Sequence, residues 1–280
     1  MICIPTHPHA SIAARVAIRT ALLPLLLATT SLMAQERPAP LRALEKHGIT
    51  VVGTFPSPGG LTAWAAYKGK HPIALYVTPD GKHVIAGTML DEDGNDTNRA
   101  ALEKVVRKPM AEGVWSRLEA SRWIADGQDK APRTIYVFTD PNCPYCNKLW
   151  ADARPWVDSG KVQLRHVMVG ILTPTSAGKA AALLAEKNPA VALAAYERGH
   201  AAGNAKSLAS GRPRPLDDSG LKPLASIPPD VQAQLDANEK LMGALGLSAT
   251  PAVVWHDAKG ALQMLQGVPD AALLEVFGPR

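Results

Sequence analysis

The amino-acid sequence predicts an α/β protein in two folded sections joined by a helical connector. Three observations carry that reading. Residues 38–96 alternate short apolar runs with Gly- and Pro-bearing turns, the pattern of a small antiparallel sheet with a short leading helix. Residues 97–130 carry apolar residues at helical spacing. Residues 131–280 run strand, helix, strand, several helices, hairpin and helix, an order that lays helices against a sheet.

Length and composition bound the possibilities. A chain of 280 residues can bury one large core or two ordinary ones. With 46% hydrophobic and 20% charged residues it belongs with folded proteins rather than disordered ones. Residues 1–34 read as a signal peptide, with Arg15 and Arg19 as its positive region, an apolar stretch over 21–28, and Ala34 as the expected last residue before cleavage. That stretch is far shorter than the roughly 18 residues of a membrane span. Losing Arg15 and Arg19 lowers the formal charge of +5 by two, to +3, too small an excess to argue for nucleic acid or anionic lipid as partner.

In the first section, 41–47 reads as a short helix closed by Gly48. Strands follow at 49–55, 61–67, 73–77 and 83–89. The last two are separated by Pro79-Asp80-Gly81, where Pro presets one dihedral and Gly accepts a positive one. Asp91, Asp93 and Asn95 have the look of a calcium loop, but its Gly would fall on Asp96 and its closing Glu on Leu102, so a polar turn is the better reading. Leu102, Val105 and Val106 form the stripe of a helix that Pro109 is expected to interrupt, with helix resuming over 110–124.

In the second section, a strand at 134–138 leads through Thr139-Asp140-Pro141-Asn142 into a helix running to Trp156, bent near Pro155. A strand at 161–169, Ala-rich helices at 177–186 and 190–198, a Pro/Gly/Ser-rich loop over 199–229, a helix at 231–245, a hairpin of 252–255 and 261–266, and a last helix from Asp270 complete it. Trp150 and Trp156 are expected in the core.

The chemistry is expected at Cys143 and Cys146. Once Cys3 leaves with the leader, these are the two remaining cysteines. An exported protein uses disulfides as staples between distant segments, and a pair two residues apart closes too small a loop to do that. At a helix start the pair suits disulfide exchange, because the helix dipole favours the thiolate that acts as nucleophile. Pro144 is tolerated in the first turn, where N–H groups lack intrahelical partners. A zinc site would need two further ligands, and His47, His71, His83, His166, His200 and His256 are scattered. No metal or cofactor is therefore expected beyond a redox-active Cys143–Cys146 disulfide. Thr250-Pro251 opens a later strand, and a cis peptide there would bring Thr250 beside the cysteines. Tyr145 is expected at the rim of the site, Asp140 either beside the thiol or as part of a turn, and Asn142 as a residue able to alter the helix cap and with it the thiol acidity.

At these residues the chain resembles the periplasmic DsbC/DsbG family, and DsbG more than DsbC. The stretches that carry the likeness are Tyr136 to Trp150 around Cys-Pro-Tyr-Cys, Ala153 to Arg165, Asn238 to Met242, Ala249 to Ala252, and Leu75 to His83. The resemblance implies a thioredoxin-like domain at 131–280 with a helical insertion at about 172–245. It also implies a small α+β, cystatin-like dimerisation domain at 38–96 and a helical linker at 97–130. It further implies a homodimer in the periplasm, kept reduced by an inner-membrane thiol reductase of the DsbD type. Such proteins isomerise or reduce disulfides in misfolded or oxidised periplasmic proteins, some rescue sulfenylated cysteines, and many bind unfolded chains. Carried over by position, Cys143 attacks, Cys146 resolves, Pro144 and Tyr145 complete the active-site tetrapeptide, and Thr250-Pro251 forms the cis-Pro loop. A net oxidant of DsbA type, or mainly a holdase, are the competing readings.

Overall fold

A computed structural model describes residues 37–280. The expected signal peptide at 1–34 lies outside them.

The first section is a short helix and a four-stranded antiparallel meander. It comprises α1 (Ala39–Lys46), β1 (Thr50–Phe55), β2 (Thr62–Lys68), β3 (His71–Val77) and β4 (Val84–Ala86), in sheet order β1-β2-β3-β4. The β3–β4 turn forms as the Pro-Asp-Gly step predicts. Gly81 takes φ +68°, Lys82 N donates to Asp80 Oδ1 at 3.0 Å, and Thr78 N donates to His83 O at 3.1 Å. Both faces of this sheet are covered, which is why β2 reads as a continuous small apolar run rather than an alternation. Leu41, Val51, Trp64 and Leu75 pack on one face, and Phe55, Ala63, Tyr76 and Val106 on the other. At 91–95, Asp91 Oδ1 accepts from the backbone N–H of Asp93 and Asn95, forming a polar turn.

The connector is a single helix, α2 (Arg99–Glu119), that runs through Pro109 without interruption. A proline inside a helix removes one hydrogen bond and clashes with the preceding turn. Tertiary contacts on both sides carry the helix across it. Val106 enters the core of the first sheet, Val114 and Leu118 enter that of the second, and Tyr67 Oη donates to the Pro109 carbonyl at 3.1 Å. The expected helix over 110–124 and connector over 97–130 are also too long. Trp123–Asp126 forms β5, an edge strand paired antiparallel with β7.

The second sheet has the order β5-β7-β6-β8-β9, built from β6 (Arg133–Thr139), β7 (Val162–Met168), β8 (Ala252–His256) and β9 (Leu262–Gln266). β6 and β7 are parallel and the other pairs antiparallel. Successive β6 residues feed opposite faces. Ile135 and Val137 meet α3 (Pro144–Asp152), α4 (Arg154–Val157) and α8 (Leu273–Phe277), whereas Tyr136 and Phe138 meet α2 and α7 (Pro229–Ala244). Trp150 and Trp156 are both buried, and Trp156 donates to the Gly278 carbonyl at 2.9 Å and packs on Phe277.

Between β7 and β8 lie α5 (Ser176–Ala185), α6 (Pro189–Ala209) and α7, which share a core with Ile124 and Met168. The loop expected over 199–229 is about one-third helix, because α6 continues to Ala209 through Gly199 and Gly203. Each glycine costs a helix about 1 kcal/mol, which the surrounding alanines and the packing of α6 offset. The remaining loop is tied down by Lys179. Its buried ammonium donates to the carbonyls of Leu216 and Asp217 at 3.2 and 2.5 Å and pairs with Asp218 at 3.0 Å.

Leu118 is wholly buried in the second core. Leu118→Ala should therefore lower unfolding stability by about 2–5 kcal/mol. Urea unfolding checks this, and a loss below about 1 kcal/mol would mean that the end of α2 is not core.

Candidate active site

β6 ends at Thr139 and the chain turns through Asp140-Pro141-Asn142 into α3. Asp140 is completely buried, and four donors hold its carboxylate. Oδ1 accepts from Asn142 N and Ser176 Oγ, and Oδ2 from Ile171 N and Leu172 N, all at 2.8 Å. Asp140 is thus more than a turn former, because it joins the active-site turn to the loop after β7 and to the start of α5.

Cys143, not Asn142, is the N-cap of α3. Its φ/ψ of −80°/115° is extended, and its Sγ accepts from Cys146 N at 3.3 Å. Asn142 turns instead toward the insertion, where its Nδ2 donates to Thr173 and Thr175 Oγ1 at 2.5 and 2.8 Å. Pro144 occupies the first helical position, and Cys146 lies buried one turn in. The Thr250–Pro251 peptide is cis, and the Thr250 carbonyl accepts from Cys143 Sγ at 3.4 Å. The loop before it is pinned by Gln266 Oε1, which accepts from Ser248 N and Ala249 N at 2.5 and 2.9 Å. The fold therefore brings Cys143, Pro144, Cys146, Thr250 and Pro251 together, and leaves Tyr145 at the rim, 51% exposed.

The two thiols differ in acidity. A hydrogen bond from the Cys146 thiol, then others from Thr250 and from the N–H groups of Cys146 and Tyr145, outweigh burial and lower Cys143 to about 7. Burial first, and the neighbouring Cys143 second, push Cys146 well above the usual thiol range. Cys143 is only 3% exposed, so a substrate must come to it. Beside it lies a cleft of about 520 Å³ lined by Tyr145, Lys148, Thr250, Pro251, Gln266 and Val268. Among the described residues no three His, Cys, Asp or Glu side chains are grouped to hold a metal ion.

Behind the cysteine turn lies a polar cluster that sequence reasoning missed. Asn147 Nδ2 donates to Glu197 Oε2 and to the Glu197 carbonyl at 2.7 and 2.8 Å. Asn204 Nδ2 donates to the Pro144 carbonyl at 2.7 Å and to Asn147 Oδ1 at 3.0 Å. A signal existed, since Glu197 and Asn204 follow Leu193 at four and eleven residues, on one helical stripe whose first member is apolar.

A cap-position cysteine with a depressed pKa, a buried partner one turn on and a proline loop against it, on a sheet of this order, define a thioredoxin-like thiol–disulfide exchange protein. Comparison with known proteins agrees. Residues 124–277 match the Thioredoxin-like domain family. The chain is 47% identical over 259 residues to the thiol:disulfide interchange protein DsbG of Pseudomonas aeruginosa, covering 92% of this chain and 95% of that one. It is 40% identical over 248 residues to DsbG of Escherichia coli strain K12, covering 87% and 92%. DsbC of the same strain matches over 133 residues at 35% identity, covering 44% of this chain and 49% of that one. The chain belongs to the DsbG family of thiol:disulfide interchange proteins.

Iodoacetamide should label Cys143 before Cys146 in the reduced protein. Its rate should rise about tenfold per pH unit below the Cys143 pKa and level off above it. Peptide mass spectrometry across a pH series checks this, and equal rates at the two cysteines would contradict it.

Proposed function

We propose that Cys143 is the attacking thiol and Cys146 the resolving thiol of a periplasmic disulfide isomerase and reductase. The observation that carries this reading is the placement of the pair, Cys143 at the cap of α3 against the cis Thr250–Pro251 loop and Cys146 buried one turn in, which lowers Cys143 to about 7 and raises Cys146. At neutral pH a large fraction of Cys143 is thiolate, close to the optimum for an attacking thiol, while Cys146 keeps its proton. The Cys143 thiolate attacks a substrate disulfide, one substrate sulfur leaves as thiolate, and a mixed disulfide forms. If the freed substrate thiol attacks elsewhere in the same protein and returns Cys143, the disulfide is isomerised with no net redox change. If Cys146 attacks instead, its proton is released, the second substrate sulfur leaves, and a Cys143–Cys146 disulfide remains. Against a sulfenic acid the same thiolate displaces hydroxide, which leaves as water.

Thr250 and Pro251 position an extended substrate strand beside Cys143, and Pro144 and Tyr145 shape the approach. The reaction needs no cofactor beyond the cysteine pair, and nucleic acid has no part in it. The remaining assignments follow the DsbG relatives. Residues 1–34 direct export to the periplasm, residues 38–96 pair two copies into a homodimer, and an inner-membrane thiol reductase of the DsbD type returns the electrons. Misfolded or oxidised periplasmic proteins are the substrates. Binding of unfolded chains has its own support in Tyr145, in the first turn of α3, and Ile171 and Leu172, in the loop after β7, large apolar side chains that are exposed on either side of the junction made by Asp140.

Cys143→Ser should abolish exchange while leaving aggregation suppression intact. Cys146→Ser should accumulate mixed disulfides that non-reducing gels resolve. Acid-quenched maleimide tagging in the producing cell should find both thiols mostly free, and a mostly oxidised pair would reverse the direction to net oxidation. Light scattering should give a dimer for the mature chain, and a monomer would remove the pairing assigned to 38–96.

A further inference from the structure

Glu197 is buried, at 1% exposure, against the turn that carries both cysteines. Its partner Asn147 directly follows Cys146, and Asn204 caps the same set by donating to the carbonyl of Pro144, which directly follows Cys143. A glutamine could brace this turn as well, so the carboxylic acid is what calls for an explanation. We propose that Glu197 is a positioning residue for the Cys143–Cys146 pair, holding the first turn of α3 through Asn147 and opposing the Cys143 thiolate with its own negative charge. This rests on Cys143 being the attacking thiol.

The charges around Glu197 favour such a coupling. From β5 comes Asp126, and from α4 comes Arg154, whose guanidinium is committed to Asp126 through both Nη atoms, one at 3.0 Å. From β7, His166 Nε2 lies 3.5 Å from the same aspartate. On α3, Lys148 is paired with Asp152 and Asp270. On α5, Lys179 is engaged by Leu216, Asp217 and Asp218. On α6 itself, Arg198 is exposed and His200 is held by the Tyr196 carbonyl and Asp217. Glu197 therefore has no cation of its own among the described residues. Burial, opposed by the Asn147 hydrogen bond and reinforced by Cys143 and Asp126, raises it to about 7. The thiol and the carboxyl thus titrate together, each charge disfavouring the other. When a thiol partner reduces the Cys143–Cys146 disulfide, two electrons enter, Cys146 takes a proton, and the new charge on Cys143 draws a second proton onto Glu197.

The test compares alkylation of the reduced full-length protein and its Glu197→Gln variant over a pH series, with the labelled cysteine identified by mass spectrometry. The native Glu197 carboxyl is also titrated by carbon NMR in the oxidised and reduced states. Glu197→Gln should speed Cys143 labelling roughly threefold near pH 7, with a ratio close to one below about pH 5.5, where the native carboxyl is neutral. Reduction should raise the carboxyl midpoint. A brace without electrostatic effect would give a ratio that does not change with pH, and with it an unchanged carboxyl midpoint, and that result overturns the proposal. If the variant fails to fold, the carboxyl titration of the native protein decides alone. Labelling of Cys146 before Cys143 in the native protein would instead overturn the assignment of the attacking thiol, and this proposal with it.

Discussion

The carboxylate of Asp140 is a charge taken wholly out of water, and the geometry around it follows from that cost. An ionised carboxylate inside a protein loses several kcal/mol of hydration unless hydrogen bonds replace it. Here two backbone N–H groups come from the loop after β7, one from the turn before Cys143, and a hydroxyl from the first residue of α5. The turn before Cys143 is thereby held to a stretch about thirty residues on, at both the loop after β7 and the start of α5. The turn cannot shift without orphaning donors in the other two, so Cys143 is delivered to the cap of α3 in one orientation. That orientation lets the Cys146 N–H and the Thr250 carbonyl both reach its sulfur.

The helical insertion serves the same end from the other side. Tyr196 donates to the Pro141 carbonyl, Leu216 N donates to the Asn142 carbonyl, and Asn204 donates to the Pro144 carbonyl. The carbonyls of three of the four residues from Pro141 to Pro144 are therefore satisfied by the insertion. Lys179 holds the loop that supplies one of these donors and lies 3.3 Å from the Tyr196 hydroxyl that is another. An insertion of this kind is part of the active-site scaffold rather than an ornament on the sheet.

What the sequence made legible divides along the same line. The cysteine pair, the Pro144 helix start, the Thr250-Pro251 strand entry and the Pro79-Asp80-Gly81 hairpin are local signals, each decided by residues within a few positions of one another, and the structure places each as its spacing implies. Features that depend on distant partners were misread. Pro109 looks like a helix break because its neighbours in space, among them Tyr67, do not appear beside it in the sequence. Trp123-Ile124 continues a helical pattern until β7 is present to pair with it. Gly199 and Gly203 look like loop until α6 is seen packed on α3. Asp140 has the look of an ordinary turn residue because three of its four donors lie more than thirty residues away. Glu197 and Asn204 are polar residues in an Ala-rich helix; they share a stripe with Leu193, but that stripe becomes visible only once α6 is known to run on to Ala209 and to pack against the cysteine turn.

The division of labour between the two thiols is in the end a matter of depth along one helical turn. Cys143 sits at the cap, where the Cys146 thiol, Thr250 and N–H groups without intrahelical partners hydrogen-bond to the sulfur and favour its charge. Cys146, three residues on, lies beyond the reach of those N–H groups and inside the core, where burial disfavours the charge. At Cys143 the Cys146 thiol hydrogen bond, then Thr250 and the first-turn N–H groups, do the favouring, and at Cys146 desolvation does the opposing. The order of events in exchange follows. In the exchange proposed for the pair, the capped sulfur is the one ionised and placed to attack first, and the inner one keeps its proton until the outer sulfur is tied up in a mixed disulfide and its negative charge has gone.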